Sequence, residues 1–477
     1  MSLQFTKPFV LTIFGASGDL AKLKLFPSLY ALSERKLLPE KFLIIGYART
    51  PMSHEAFRQE FLLSIVETYG KKNGFSAKVA NSLLQKVFYF SGQYDAKEDF
   101  VKYEEFIIDL RKQEKLPETA LPKLAYFSVP PFLFQSILEN IALTNSKSEK
   151  DVRIILEKPF GNDEKSAQKL FHFISRYYSE EQIYLLDHYL GKGAVKSILS
   201  LRHANSILNM LLKGREIASI QISAVEDIGV EQRIGYFDQV GIIKDMFQSH
   251  LTQLLAMITM SIPLTESAES FQREKYAILS ALSFSPKKEN LLLGQYASYR
   301  KIPGVKKNSR TETFMAVKLK IDRESWYGVP IFIRTGKKLS QRATYIAVEF
   351  KKMPFQKEIE SNRLIFELAP DERLQFRLLN THGSASQYEE LNPTESISCA
   401  DDLCLPEYAA LILDILNQNK LHFLSFAEII AAWRITDAIL RFRKKSRLPL
   451  PFYEDGVKMP KGEARLFRTS REKWFEL

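Results

Sequence analysis

Phe9-Val10-Leu11-Thr12-Ile13-Phe14-Gly15-Ala16-Ser17-Gly18-Asp19-Leu20-Ala21-Lys22 is the stretch that decides the fold of the N-terminal half. Its first six residues are almost wholly apolar, which suits a strand buried on both faces of a parallel sheet. Glycines at 15 and 18 break the run, and Leu25, Leu29 and Leu32 follow at helical spacing. Strand, glycine turn and helix form the context that a dinucleotide-binding loop requires. Gly15 permits the tight turn, Gly18 lets backbone approach a pyrophosphate, and Ala21 allows helix to pack closely on strand. The N–H groups at the helix start favour phosphate. Ser17 stands where the usual G-x-G-x-x-G pattern has its second glycine, and a plain strand-helix turn is the competing reading.

Working outward, Phe42-Leu43-Ile44-Ile45-Gly46 reads as the next strand and ends at Tyr47-Ala48-Arg49-Thr50. An acidic residue at this place holds the ribose 2′-hydroxyl of NAD, whereas arginine accommodates a 2′-phosphate. Arg49 therefore points to NADP, with a surface arginine as the alternative. Strand signals recur at 86–90, 123–129 and 152–156, the last closed by Glu157-Lys158-Pro159-Phe160-Gly161. That turn puts Lys158 at the sheet's carboxyl edge beside a proline, the residue type that adopts cis bonds. A helix starting at Asn162 or Asp163 carries Ala167, Leu170, Phe171 and Ile174 on one face. Ile183-Tyr184-Leu185-Leu186 is a further buried strand, ending in Asp187-His188-Tyr189-Leu190-Gly191-Lys192. Alternating strands and helices over about 185 residues indicate a doubly wound parallel sheet. The polar cluster then falls at a strand's carboxyl end, where such sheets place ligands, and His, Tyr and Lys can all donate hydrogen bonds to an anion. Asp187 and His188 as a loop pair satisfying local backbone is the plainer reading.

After Lys192 the pattern changes to period-two alternation, at 220–223, 315–321 and 373–378, with shorter runs at 331–333 and 345–348. One buried and one differently covered face means a mostly antiparallel sheet. Helices are expected over 242–259 and 426–442. On the first, His250 shares a face with Ile243, Met246, Phe247 and Leu254. It is either a satisfied core residue or a general base, since neutral imidazole accepts a proton near pH 7. Glu226 closes the strand that starts at Ile217, but spacing alone does not place it.

With 477 residues, 45% hydrophobic and 26% charged, the chain is an ordinary globular protein too long for one core. Cys399 and Cys404 are too few for a disulfide scaffold, so a reducing, cytoplasmic setting is expected. The run from Phe9 to Phe14 lacks the small-residue cleavage site of a signal peptide, and no apolar run approaches membrane-spanning length. A net charge of +11 spread over scattered basic residues gives no nucleic-acid stripe, so neither nucleic acid nor membrane is an expected partner.

Together these motifs resemble the glucose-6-phosphate dehydrogenase family. The resemblance rests on Gly-x-x-Gly-Asp-Leu-Ala-Lys, Tyr-Ala-Arg, Glu-Lys-Pro-Phe-Gly, Asp-His-Tyr-Leu-Gly-Lys and Gly-Tyr-Phe-Asp…Asp-x-x-x-x-His. Gly294-Gln295-Tyr296, Glu312-Thr313-Phe314 and Gly328-Val329-Pro330…Arg334-Thr335-Gly336-Lys337 follow in the family's order. The resemblance implies a Rossmann-type α/β domain over 1–187. It also implies an α+β domain over 188–477, whose large, mostly antiparallel sheet forms a homodimer interface, with a tetramer left open. It implies oxidation of β-D-glucose 6-phosphate at C1 with hydride transfer to NADP⁺, the first step of the oxidative pentose phosphate pathway. In that scheme His250 is the base and Asp187 its orienting partner. His188, Tyr189 and Lys192 grip the phosphate, with added charge from Lys337. Lys158 lies between sugar and nicotinamide, and Glu226 and Asp245 bind sugar hydroxyls. Gly15, Ala16, Ser17, Gly18, Asp19 and Leu20 form the cofactor loop, Ser17 and Arg49 hold the 2′-phosphate, and Lys24 lies along the cofactor.

Leu185 and Phe134 depart from an arginine and a tyrosine common in the family. Some eukaryotic members bind a second, structural NADP⁺ through a lysine and two arginines. Ala343, Ala347 and Glu367 occupy those positions here, so one nucleotide per subunit is expected. A different NADP-linked sugar dehydrogenase would explain Lys158 but not the phosphate grip, and a non-enzymatic binding protein would need neither Asp187 nor His250.

Overall fold

The structure, a computed structural model, describes residues 4–70, 75–117, 121–144, 151–352, 361–382, 385–391, 397, 404–467 and 472–477. The chain forms two compact units, Met1–Lys192 with Leu405–Phe426, and Gly193–Cys404 with Ala427–Leu477.

In the first unit β1 (Phe9–Phe14), β2 (Phe42–Ala48), β3 (Val87–Ser91), β4 (Lys123–Phe127), β5 (Val152–Glu157) and β6 (Ile183–Leu186) form one sheet in the order 3-2-1-4-5-6. Every neighbouring pair runs parallel. This is the doubly wound order, with ligands expected outside the carboxyl ends where the order reverses beside β1. Every residue of β1, β2 and β4 is buried, as their unbroken apolar runs require. The helix after the glycine loop begins as a π-helical turn, Ala21–Leu25, and continues as an α-helix over Phe26–Glu34. Asp163 caps the helix Glu164–Ile174 by accepting from Ser166 N at 2.7 Å, as its position at the start of an apolar-periodic run leads one to expect.

Sequence reading placed the domain break at 187/188 and gave the remainder to a second domain. The two compact units divide the chain differently. The break falls after Lys192, and Leu405–Phe426 belongs to the first unit. The helix Glu407–Leu416 buries Leu411, Ile412, Ile415 and Leu416 in the same core as Leu29 and Leu32. Its carboxyl end is held by Arg153, which is 4% exposed and donates to the Ile415 and Leu416 carbonyls at 2.7 Å each. Both carbonyls lie in the last turn of the helix, where a cation complements the negative end of the dipole. Arg153 is itself paired with Asp151 at 2.8 Å. Helical periodicity reveals that such a helix buries a face, but not which core receives it.

In the second unit β7 (Ile217–Val225), β8 (Leu282–Ser283), β9 (Leu291–Tyr296), β10 (Phe314–Ile321), β11 (Ile331–Gly336), β12 (Ala343–Phe350), β13 (Arg363–Ala369), β14 (Arg373–His382), β15 (Ala385–Leu391) and β16 (Phe452–Tyr453) build a ten-stranded sheet. Its order is 15-14-13-12-7-11-10-9-16, with β8 attached to β10. The sheet is mostly antiparallel as expected, but β7 with β11 and β9 with β16 run parallel. The helix expected over 242–259 is composite. A kink at Gly241 (φ 69°, ψ 170°) precedes a π-helical stretch, Ile243–Leu251, and then an α-helix, Thr252–Thr259. The helix Phe426–Ser446 runs past its expected end. Cys404 is disulfide-bonded, so the cysteines give no support to a reducing compartment.

Gly191 marks where the returning helix bears on the first unit. A Cβ there would lie 2.8 Å from Leu411 Cδ1 and 3.0 Å from the Glu407 carbonyl oxygen. Gly191→Ala is therefore expected to cost about 1–3 kcal/mol through overpacking. A chemical denaturation curve superimposing on the parent's would show that the helix does not press on this turn.

Candidate active site

The first unit gathers most of its expected residues at the carboxyl edge of its sheet. Gly15 has φ +82°, and a Cβ there would sit 2.2 Å from the Ser128 carbonyl oxygen, so the turn admits only glycine. Its N–H donates to the Tyr47 carbonyl at 2.8 Å, and Gly18 N–H donates back to the Gly15 carbonyl at 3.0 Å. Ala16 is buried, Ser17, Gly18 and Leu20 are half-buried, and Asp19 and Lys24 are exposed. Ala21 is fully buried, as close helix packing demands. Arg49 is exposed at the end of β2, next to β1, with its guanidinium 5.7 Å from the Tyr94 ring centroid. A backbone cradle closed to side chains, flanked by a cation, fits a dinucleotide phosphate.

At the ends of β5 and β6 the same edge carries Glu157, Lys158 and Asp187. The Lys158–Pro159 bond is cis. Asp187, 1% exposed, accepts from Tyr189 N at 3.0 Å and so caps the short turn His188–Gly191. The local-loop reading of Asp187 thus holds for this one oxygen. The His188 and Tyr189 rings meet edge to face at 5.3 Å, and the Lys192 ammonium lies 3.8 Å from the Tyr189 ring centroid. A cation over the ring face is attracted by its quadrupole, which holds the ammonium in place.

Glu157 was not singled out from sequence. Its carboxylate accepts from the Tyr126 hydroxyl and, at 3.3 Å, from Tyr408 on the returning helix. Burial pushes its pKa up to about 7 against the pull of those hydrogen bonds and of Lys158, with Asp187 adding to the rise. Its place in the Glu-Lys-Pro turn was the available signal. The Tyr408 contact, 251 residues away, was not visible.

The second unit brings two pairs together. β7 and β11 run parallel and in register to Val225 and Gly336, so Glu226 and Lys337 emerge side by side. Lys337 Nζ donates to Glu226 Oε2 at 2.5 Å, and Glu226 N–H donates to the Gly336 carbonyl at 2.9 Å. Expected as sugar binder and phosphate cation, these two form one ion pair in which Lys337 is buried and Glu226 half-buried. Asp245 and His250, 3% and 2% exposed, lie on the π-helical stretch, with Arg233 3.6 Å from Asp245. Sequence reading missed Arg233.

Leu185 and Phe134 are both core residues, 1% exposed, and Phe134 packs edge to face on Phe127 at 5.7 Å. Ala343 and Ala347 are buried on β12. Glu367, on β13, accepts from Arg373 Nε at 2.9 Å and Gln375 Nε2 at 3.1 Å, so its charge is compensated within the sheet.

The chain matches two family models, the NAD binding domain of glucose-6-phosphate dehydrogenase over residues 12–197 and its C-terminal domain over 199–475. It is 34% identical to glucose-6-phosphate 1-dehydrogenase of Kluyveromyces lactis, covering 97% of this chain and 95% of that one. Identity to the Chlamydia muridarum enzyme of the same name is 33%, over 98% and 96%. A solved glucose-6-phosphate dehydrogenase in complex with its substrate glucose-6-phosphate superposes over all of both chains with a TM-score of 0.89 at 31% identity. The Mycobacterium avium enzyme superposes at 0.85, with 29% identity over 98% of each chain.

The raised Glu157 carboxyl sets a pH dependence with a definite sign. The folded protein holds this proton more tightly than the unfolded chain, so its contribution to stability is fully present below pH 4.5 and is lost as pH rises to about 7. Glu157→Gln, which keeps an acceptor for Tyr126, should flatten the fall in Tm across that window. A variant whose Tm follows pH with the parent's slope would remove Glu157 as the source.

Proposed function

Because the chain belongs to the glucose-6-phosphate dehydrogenase family, we propose that it oxidises β-D-glucose 6-phosphate at C1 to 6-phosphoglucono-δ-lactone with NADP⁺ as acceptor. The observation that carries the reading is the cluster at the end of β6. His188, Tyr189 and a Lys192 ammonium held over a ring offer an anion grip on the sheet that bears the nucleotide loop. NADP⁺, when bound, accepts the hydride. On this reading His250 takes the C1-hydroxyl proton, and Asp187 orients the imidazole and stabilises the imidazolium, as in other base-orienter pairs. His188, Tyr189 and Lys192 bind the sugar phosphate dianion through charge-assisted hydrogen bonds. Asp245 and Glu226 accept from sugar hydroxyls, with Lys337 fixing the Glu226 carboxylate through their 2.5 Å contact. Lys158 stands between sugar and nicotinamide. Ser17 and Arg49 take the 2′-phosphate, and Lys24 lies along the cofactor. The subunit is assigned a homodimer and a cytoplasmic location. A cytoplasmic relative from Arabidopsis thaliana, 33% identical, supports the latter. Among the described residues no helix is long and apolar enough to cross a membrane.

NADPH absorbance with glucose 6-phosphate tests the reaction, and an equal rate on unphosphorylated glucose would favour a different sugar dehydrogenase. His250→Asn should lower kcat at least about 10²-fold, the scale of acid–base assistance, with KM little changed. Asp187→Asn should act alike, and the double variant should lose far less than the product of the two. Independent, multiplicative losses would separate the two residues.

Arg49→Ala should raise KM for NADP⁺ much more than for NAD⁺, because only NADP⁺ carries the 2′-phosphate. Calorimetric titration of the parent with NADP⁺ should give one site per subunit. Equal effects on both nucleotides would make Arg49 structural, and a second tight site would overturn the single-nucleotide reading.

A further inference from the structure

Glu312 is a buried carboxylate to which the reaction scheme assigns no part, just before β10, and 2% exposed. Its backbone carbonyl accepts from Ile242 N–H at 3.0 Å, and its Oε1 lies 3.4 Å from Ile243 N. Both donors stand at the start of the π-helical stretch that carries Asp245 and His250. The start of a helix leaves N–H groups without intrahelical acceptors, and a carboxylate there complements the positive end of the dipole. Gly241, just before, has φ +69°, and a Cβ on it would fall 2.5 Å from Glu312 Oε1. The chain therefore enters this helix through a turn shaped around the Glu312 carboxylate.

Two further contacts make the arrangement rigid. The other oxygen, Oε2, forms an ion pair with Arg443 on the helix Phe426–Ser446. Burial raises the Glu312 pKa, and Arg443 opposes that rise. The next residue, Thr313, accepts at its carbonyl from Lys337 N–H at 3.0 Å, and its hydroxyl oxygen accepts from Tyr296 N–H at 2.9 Å. Two consecutive carbonyls thus tether the His250 helix and the residue that holds Glu226.

We propose that Glu312, clamped by Arg443, is a positioning residue that sets the His250 helix for proton abstraction. The proposal rests on His250 being the base. It gives a role to a carboxylate placed where loss of one partner of a buried pair is strongly destabilising. A side chain that only filled space would need neither the charge nor the glycine opposite.

The test is a double-variant cycle on the full chain with glucose 6-phosphate and NADP⁺. Glu312→Gln should lower kcat about 10-fold, within the scale of a sub-ångström misplacement, and leave KM for NADP⁺ within about twofold. In a His250→Asn background the same change should alter the residual rate less than about twofold, because the residue through which it acts is gone. Arg443→Gln reaches the pair from its half-exposed side and should reproduce the result if Glu312→Gln fails to fold. Arg443→Lys, which keeps a cation beside the carboxylate, should restore most of kcat. A lowered Tm with unchanged kcat at 25 °C would make the pair merely structural and overturn the proposal. The same fold-loss in both backgrounds would overturn it too, since Glu312 would then not act through His250. Full activity in His250→Asn alone would instead sink the assignment of the base, and the positioning role with it.

Discussion

Strands buried on both faces cannot carry chemistry along their length, and this constraint organises the first unit. Every side chain of β1, β2 and β4 is enclosed, so groups that must reach a ligand enter only where the strands stop. Parallel pairing brings all six carboxyl ends to one edge. The glycine loop, Arg49, the Glu-Lys-Pro turn and the Asp-His-Tyr turn, after β1, β2, β5 and β6, are four uses of that edge. The second unit repeats the device within a mostly antiparallel sheet. Its β7–β11 pair runs parallel, and Glu226 and Lys337 leave the two strands together.

Charge follows from enclosure. A carboxylate or cation out of water is tolerated only with a partner or with neighbours that stabilise its ionised form. Lys337 with Glu226 at 2.5 Å, Arg443 with Glu312, and Lys275 with Glu428 at 2.9 Å are such pairs in the second unit. Glu157 solves the problem differently. Burial raises its pKa to about 7 although two tyrosine hydroxyls and Lys158 stabilise the ionised form. Glu157 is thus a titrating group at the same sheet edge as Lys158.

The composite helix bearing Asp245 and His250 shows how local geometry and distant groups combine. Gly241 supplies the left-handed kink, and Glu312, from the approach to β10, supplies the acceptors at the helix start. Periodicity over 242–259 is legible because Ile243, Met246, Phe247 and Leu254 share a face. The π-helical winding of its first part is not, nor is the contact of Ile243 N with a carboxylate 69 residues downstream.

The chain's own order of residues determined the doubly wound sheet, since unbroken apolar strands, a Gly15 turn and helical spacing are local signals read within a few residues. It also determined the candidate polar turns, because Asp187-His188-Tyr189 and Glu157-Lys158-Pro159 sit directly behind such strands. Tertiary structure alone decided that the helix Glu407–Leu416 returns to the first unit, pressing Leu411 on Gly191 and bringing Tyr408 to Glu157. It alone decided that Glu226 faces Lys337 and that Glu312 meets both Ile243 and Arg443. The reason is physical. Backbone propensity and periodicity act over a turn or a strand, whereas the burial that pairs charges and raises a carboxyl's pKa comes from segments far apart in sequence.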